Sequence, residues 1–472
     1  MFDILLSIRE ESESPLYLRI YKQIRERITC GSILGNTRLP SVKALQLQLN
    51  ISKTPIETAY QMLSAEGFVY SKPRSGYYSV NMGSACSPGI DMPSDAGTLQ
   101  SPEQPMLREY AIDFHPGSVD HDMFPIRTWK RMLNLALEDY SRSIGKSGDM
   151  MGEIGLRRAL ADYLRSSRGV ACSPEQIVIG TGISSSMDLL AKLIDGIDHV
   201  AYEEPGFKQV RDQLLSHGYR LIPIPVDSES FQIQSLEDSK AHMVYVTPSH
   251  QFPTGRVMPY VERERLLHWA NKGHAYIIED DYDGEFRYFG KPIPSLQSID
   301  RHGRVIYIGT FSKAFTPALR MNYMVLPQSF MSKLTKMSSG LSCPSRIEQW
   351  AMQAFIEQGH WYRHIRRMRN KYRRKHDQII ECIRAMFGDK VEITGHSAGL
   401  HIQITVRTEL GANDLLMLAA DKGVRVYDFR QMWMKPNDAG YPRIYLGFAG
   451  LSESDMDKGI RLLKEAWSDI LI

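Results

Sequence analysis

In the stretch GTFSKAFTPALR (309–320), Lys313 lies between the hydroxyls of Thr310 and Ser312 on one side and, across a proline-containing turn, Arg320 on the other. A lysine that attacks a carbonyl must first lose a proton, and burial or cationic neighbours favour the neutral amine. Two hydroxyls and a guanidinium can also converge on one phosphate. VIGTGISSSM (178–187) reads as strand, glycine turn and helix start, which presents the backbone N–H groups of Ile183 and Ser184 to an anion. In EEPGF (203–207) the aromatic Phe207 follows a strand and a Pro-Gly turn, placed to stack on a flat ring. IIEDDYDGEF (277–286) ends a buried strand with paired carboxylates and a tyrosine. A carboxylate there can keep a ring nitrogen protonated.

Singly, these motifs also suit a packed phenylalanine, a solvated acidic turn, a glycine hinge or an exposed lysine. Together, in this order and on these elements, they supply what pyridoxal 5′-phosphate requires: a Schiff-base lysine, a phosphate cup, a stacking ring and a partner for the ring nitrogen.

Such a site needs a sheet to hold it. QIVIG, HVAYE, HMVYVTP, AYIIED, RVIYIG and NYMVL alternate with helical patterns such as GEIGLRRALADYLRSSRGV. Strands alternating with helices predict a mostly parallel sheet covered on both faces. At 472 residues the chain exceeds a single core, so two or three domains are expected. Its 43% hydrophobic and 24% charged residues suit a soluble globular protein. No apolar run approaches the roughly 20 residues that span a bilayer. The N-terminus has no basic region ahead of a long apolar stretch, and the five cysteines are scattered without C-x-x-C spacing. A cytoplasmic protein without disulfides, a metal site or a membrane partner is therefore expected.

The first eighty residues hold ten Lys or Arg against seven Asp or Glu, while the rest of the chain holds 47 of each. The formal excess of +3 thus sits at the N-terminus, which suits a polyanion partner. SPLYLRIYKQIRERI spaces Tyr17, Ile20, Ile24 and Ile28 as a helix, and LPSVKALQLQL does the same with Val42, Leu45 and Leu49. In TPIETAYQMLSAEG, Thr54 is expected as the cap, Pro55 as the first helical residue, and Gly67 as the stop. FVYSKPRSGYYSV reads as a hairpin. Three helices and a hairpin make a winged helix-turn-helix, with double-stranded DNA as its expected partner. Ser52, Lys53 and Thr54 open the recognition helix, Arg38, Ser41 and Lys43 surround the helix before it, and Lys72 and Arg74 sit on the wing. Residues 81–110, rich in Gly, Ser and Pro, read as a flexible linker.

LPSVKALQLQLNISKTPIETAYQMLSAEG resembles the GntR-type winged helix, departing at Lys43 and Lys53, where that family carries arginine. From about Asp113 onward the motifs resemble the fold-type I aminotransferases. The joint order is similar to that of the MocR/GabR subfamily of bacterial transcription regulators. The resemblance implies a multidomain chain: a GntR-like reader (1–80), the linker (81–110), and an aminotransferase-like α/β domain (111–472) with a smaller C-terminal α+β subdomain. It implies Lys313 as the Schiff-base lysine, Asp280 as partner of the pyridine nitrogen and Tyr282 as donor to the 3′-oxygen. It implies Phe207 as the stacking ring, Ile183, Ser184, Thr310, Ser312 and Arg320 as phosphate ligands, and a homodimer.

Two departures bear on activity. Phe252 occupies the place of an asparagine that touches the 3′-oxygen, for which His250 or Gln251 can compensate. Tyr445 occupies the place of the substrate-carboxylate arginine, for which Arg430 is the first replacement and Arg443 the second. The basic run RHIRRMRNKYRRK (363–375) reads as the solvated face of a long helix rather than a DNA site. The expected function is a regulator that senses an amine or amino-acid-like effector. The alternatives are a working aminotransferase with an accessory reader, and a regulator sensing pyridoxal phosphate itself.

Overall fold

A computed structural model of the chain describes residues 14–81, 110–226, 230–288, 294–337, 343–435 and 440–472. The chain divides into two units, Met1–Leu107 and Arg108–Ile472. The expected linker lies outside the described residues except for Asn81 and Tyr110.

In the first unit, α1 (Leu16–Thr29), α2 (Val42–Leu49) and α3 (Lys53–Ala65) precede an antiparallel hairpin of β1 (Val69–Lys72) and β2 (Gly76–Ser79). Ile20, Tyr21, Ile24 and Ile28 of α1 share one core with Ile56, Ala59, Tyr60 and Leu63 of α3. The Tyr60 hydroxyl donates to the Pro40 carbonyl at 2.7 Å, tying α3 to the start of α2. The start of α3 differs from expectation: Ser52, not Thr54, holds the cap position, and Pro55 is the third helical residue. Proline is tolerated there because first-turn N–H groups have no partner within the helix. Glu57 pairs with Lys53 at 2.9 Å. Gly67, at φ +77°, ends the helix as expected, and the next amide returns to Leu63.

The second unit begins with β3 (Ile112–Asp113). A seven-stranded sheet follows, made of β4 (Ile177–Gly180), β5 (His199–Glu204), β6 (Arg220–Pro225), β7 (Met243–Val246), β8 (Tyr276–Asp281), β9 (Val305–Thr310) and β10 (Asn322–Val325). Their spatial order is β4-β10-β9-β8-β7-β5-β6, and β10 alone runs against its neighbours. The strand β6 was not expected, because RLIPIP carries two prolines; it forms at the sheet edge, where missing amides are tolerated. Helices cover both faces. Tyr202, Tyr245 and Ile278 pack with the helix Ile183–Leu193, and Ala201, Val244 and Ile277 pack with the helix Tyr260–Lys272.

A smaller antiparallel sheet is built from β11 (Val391–Thr394), β12 (His401–Val406), β14 (Tyr427–Asp428) and β15 (Arg443–Gly447), in the order β11-β12-β15-β14, while β13 (Val424–Arg425) pairs with β3. The helix His360–Phe387 carries the basic run. Its exposed arginines do not all point to water: Arg367, Arg369 and Arg373 donate to the carbonyls of Met123, Glu285 and Tyr288. Lys375 corrects the expectation of a solvated face, being only 2% exposed and paired with Asp120 at 2.6 Å. Asp120 also pairs with Lys371 at 2.8 Å, and its amide donates to the Tyr372 hydroxyl at 3.1 Å. The long helix thereby anchors the segment that leads past Gly117, which borders the lysine site. Asp120→Ala strands a buried ammonium and is expected to destabilise this unit by roughly 3–5 kcal/mol, read as the urea midpoint of its near-ultraviolet dichroism.

Candidate functional site

Strand alternation divides the three carboxylates at the end of β8 between opposite faces. Glu279 accepts the amides of Leu296 and Gln297 at 2.7 and 2.8 Å, which fixes the start of a short helix. Asp281 takes both prongs of Arg168, at 2.6 and 3.1 Å, and the Tyr307 hydroxyl at 2.7 Å. Asp280 faces the other way and accepts the Tyr245 hydroxyl at 2.5 Å. Burial pushes its pKa up to about 7, against the pull of that hydrogen bond. A carboxylate so placed is suited to a cation, which is what a protonated pyridine nitrogen supplies.

Lys313 follows β9 by three residues and is half-buried, its Nζ donating to the Gly117 carbonyl at 3.0 Å. Burial lowers its pKa, and Asp283 partly opposes this. Beside it the Tyr282 hydroxyl lies 3.0 Å from His250 Nδ1, which is 2.8 Å from Asp283. His250 therefore sits on the residue expected to meet the 3′-oxygen. Gln251 does not: its amide donates to the carbonyls of Pro205 and Phe252 and accepts from Thr254, knitting two turns together.

The phosphate candidates also come together. Gly180, Asn322 and Thr310 are paired side by side across β4, β10 and β9. Thr310 and Ser312 hydroxyls lie 3.0 Å apart. Gly182 adopts φ +133°, a conformation side chains avoid, and a Cβ on it would lie 3.1 Å from Arg320 Nη2. Its amide is held by Asn322 Oδ1 at 3.0 Å, and Ile183 opens an eleven-residue helix whose first N–H groups have no acceptor within the helix. Ser184 additionally accepts from Gln209 at 3.1 Å. A glycine cradle, a helix N-terminus and a guanidinium on one spot fit a phosphate. Sequence reasoning missed Asn322 and Tyr245; strand-end position and period-two alternation were the signals that mark them.

Phe207 is half-buried and meets Phe252 edge-on, at 5.5 Å and 77°. Phe252 in turn lies parallel to Tyr445, at 6.0 Å and 11°, and edge-on to His401. The two departures from the aminotransferase pattern therefore touch and form one aromatic wall. Arg430 donates to the Asp428 carboxylate at 2.7 Å. Arg443 is exposed at the outer end of β15, two residues before Tyr445.

On the first unit, Arg38, Ser41, Lys43, Ser52, Lys53, Thr54, Lys72 and Arg74 are all exposed. The Ser41 hydroxyl accepts from Ala44 at 3.1 Å and so caps α2. Lys72 lies over the Tyr78 ring at 4.4 Å, and Arg74 turns the wing at φ +60°. Arg38 bridges to Tyr78, which brings it beside the wing. Gly182→Ala, which combines a strained φ with a blocked cradle, is expected to weaken pyridoxal phosphate binding by about tenfold in titrations of cofactor-free protein.

Residues 112–463 match the aminotransferase class I and II family, and residues 16–78 match the gntR family of bacterial regulatory proteins. The chain is 39% identical to the HTH-type transcriptional regulator YdeL of Bacillus subtilis (strain 168), over 98% of this chain and 99% of that one. It is 32% identical to the probable rhizopine catabolism regulatory protein MocR of Rhizobium meliloti, over 98% and 96%. A kynurenine aminotransferase of Pyrococcus horikoshii superposes with a TM-score of 0.69 at 26% identity, covering 76% of this chain and 91% of that one. With both halves matched and relatives aligned end to end, the chain belongs to the MocR/GabR group of GntR-type transcription regulators, whose DNA-binding winged helix is fused to an aminotransferase class I and II domain that takes pyridoxal phosphate.

Proposed function

We propose that this regulator senses a primary amine or amino acid through pyridoxal phosphate held at Lys313, and that effector binding changes its affinity for an operator. The observation that carries the reading is the convergence, at the strand ends, of a half-buried amine, the buried Asp280 and the Gly182–Arg320 cradle, beside a wall where Phe252 and Tyr445 stand in place of polar substrate-binding groups. Bound pyridoxal phosphate supplies an aldehyde carbon that takes a primary amine covalently and a ring that withdraws electrons.

The chain's own residues supply the rest. Asp280 would hold a proton on the ring nitrogen, and Phe207 would cover the ring. Tyr282, set by His250, offers its hydroxyl to the 3′-oxygen. Ile183, Ser184, Thr310, Ser312 and Arg320 hold the phosphate. Lys313 would hold the cofactor, and Asp283 would favour a proton on its amine when that amine is free. Arg430 is the clamp for an effector carboxylate, since it already grips one in Asp428; Arg443, at the rim, is the second candidate. Such exchange biases DNA affinity only if the two states differ in their preference for effector.

The eight reader residues grip phosphates and groove edges. Residues 81–110 tether reader to sensor in the cytoplasm, and a homodimer presents two readers to paired half-sites.

Purified protein is expected to show a visible band from lysine-linked cofactor, absent in Lys313→Ala and shifted by primary amines. A shift without sustained amino transfer to keto acids supports sensing; sustained turnover supports an aminotransferase, and no band after cofactor addition overturns both. Lys43→Ala is expected to weaken operator binding and to lower the slope of log affinity against log salt by about one, measured by fluorescence anisotropy.

A further inference from the structure

Arg430 rides on a short strap, residues 429–435, between β14 and β15. The strap does not rest on its own sheet alone: it is fastened to the turn and helix that present Phe207. Gly206 donates its amide to the Met432 carbonyl at 3.0 Å. Arg211, only 9% exposed in the helix Lys208–Ser216, donates from Nη1 to the Trp433 carbonyl at 2.8 Å and from Nη2 to the Gln431 carbonyl at 2.9 Å. Glu204 Oε1 accepts the Met434 amide at 2.5 Å and the Lys435 amide at 3.4 Å. The fastenings bracket Phe207 in sequence, at 204 and 206 before it and at 211 after it. The surface that stacks the ring and the loop that carries the guanidinium are thus one mechanical piece.

We propose that Arg211 and Glu204 are positioning residues for Arg430, and that through it they give the site its preference for effectors bearing a carboxylate. The inference rests on the sensing reading above. Two parallel N–H donors at fixed spacing suit carbonyls two residues apart, which a lysine cannot hold together. The other restraint on Arg430 is the Asp428 carboxylate, a resident anion that an effector carboxylate must displace or share. An anchored backbone lets Arg430 meet the newcomer without first being ordered, whereas a loose strap adds that entropic cost to every binding event.

The test titrates holoprotein with ω-amino acids from β-alanine to 6-aminohexanoate, and with primary amines of equal length lacking the carboxylate, following the visible cofactor band. Arg211→Met is expected to raise the half-saturating concentration of the best carboxylated amine by about tenfold, as loss of hydrogen bonds from a charged group implies, and to move the plain amine less than twofold. Arg211→Lys should behave like Arg211→Met, and neither should add to the effect of Arg430→Ala. The unperturbed lysine-linked band reports a folded pocket in each variant, and Glu204→Ala provides a second route to a loosened strap should Arg211 variants lose that band. Equal weakening for both amines, no weakening in either, or full additivity with Arg430→Ala overturns the positioning role alone. A wild-type band that responds to no amine overturns the sensing reading, and this inference with it.

Discussion

A carboxylate buried at a strand end sets the terms for the whole pocket. Asp280 sits at the end of a parallel strand and accepts the Tyr245 hydroxyl, and burial, with the neighbouring carboxylates adding to it, pushes its pKa up to about 7. Its neighbours on either side are spoken for: Glu279 by two backbone amides, Asp281 by Arg168 and Tyr307. That division depends on the pleat, which turns alternate side chains to opposite faces. Only the central residue of the three looks toward Tyr245 and the helix side that carries Phe207. In the proposed reading, a protonated ring nitrogen would complete the arrangement by supplying a positive charge.

The candidate phosphate cup is built by geometry rather than by a single charge. Gly182 can adopt its backbone conformation because it has no Cβ, and the space thus left open is where Arg320 reaches. Asn322, at the start of the one antiparallel strand, holds the glycine turn from below while its neighbours Gly180 and Thr310 flank it. Sheet order, not sequence proximity, assembles this cup: β10 inserts between β4 and β9, so segments more than a hundred residues apart meet at one point.

Between these ends lies the part of the pocket that sets this chain apart from a plain aminotransferase. Phe252 and Tyr445 replace two polar groups and lie against each other, so they form one change rather than two. Arg430, the candidate clamp, sits on a strap that the larger layer holds through Arg211 and Glu204. Under the proposed sensing role, recognition of an effector would be tied to the contact between the two layers, and a regulator needs its ligand to discriminate between such arrangements.

The periodic runs along the chain determined the parallel sheet and the three helices and hairpin of the reader, because these depend on local spacing; short motifs singled out Lys313, Asp280, Phe207 and Arg320 as candidates, because the chemistry tolerates few residue types. Local spacing did not reveal the edge strand β6, whose prolines suit an edge and hide it, nor the two-residue shift at the start of α3, where Ser52 and Thr54 are both able caps. Lys375 looked like its solvated neighbours in the basic run, yet it faces Asp120 from more than two hundred residues away. Whether Arg430 is held, by what, and which departures touch were decided by tertiary structure alone. Hydrogen bonds between a helix near residue 211 and carbonyls near residue 432 leave no periodic trace in the chain, since each is made only after both layers have folded and met.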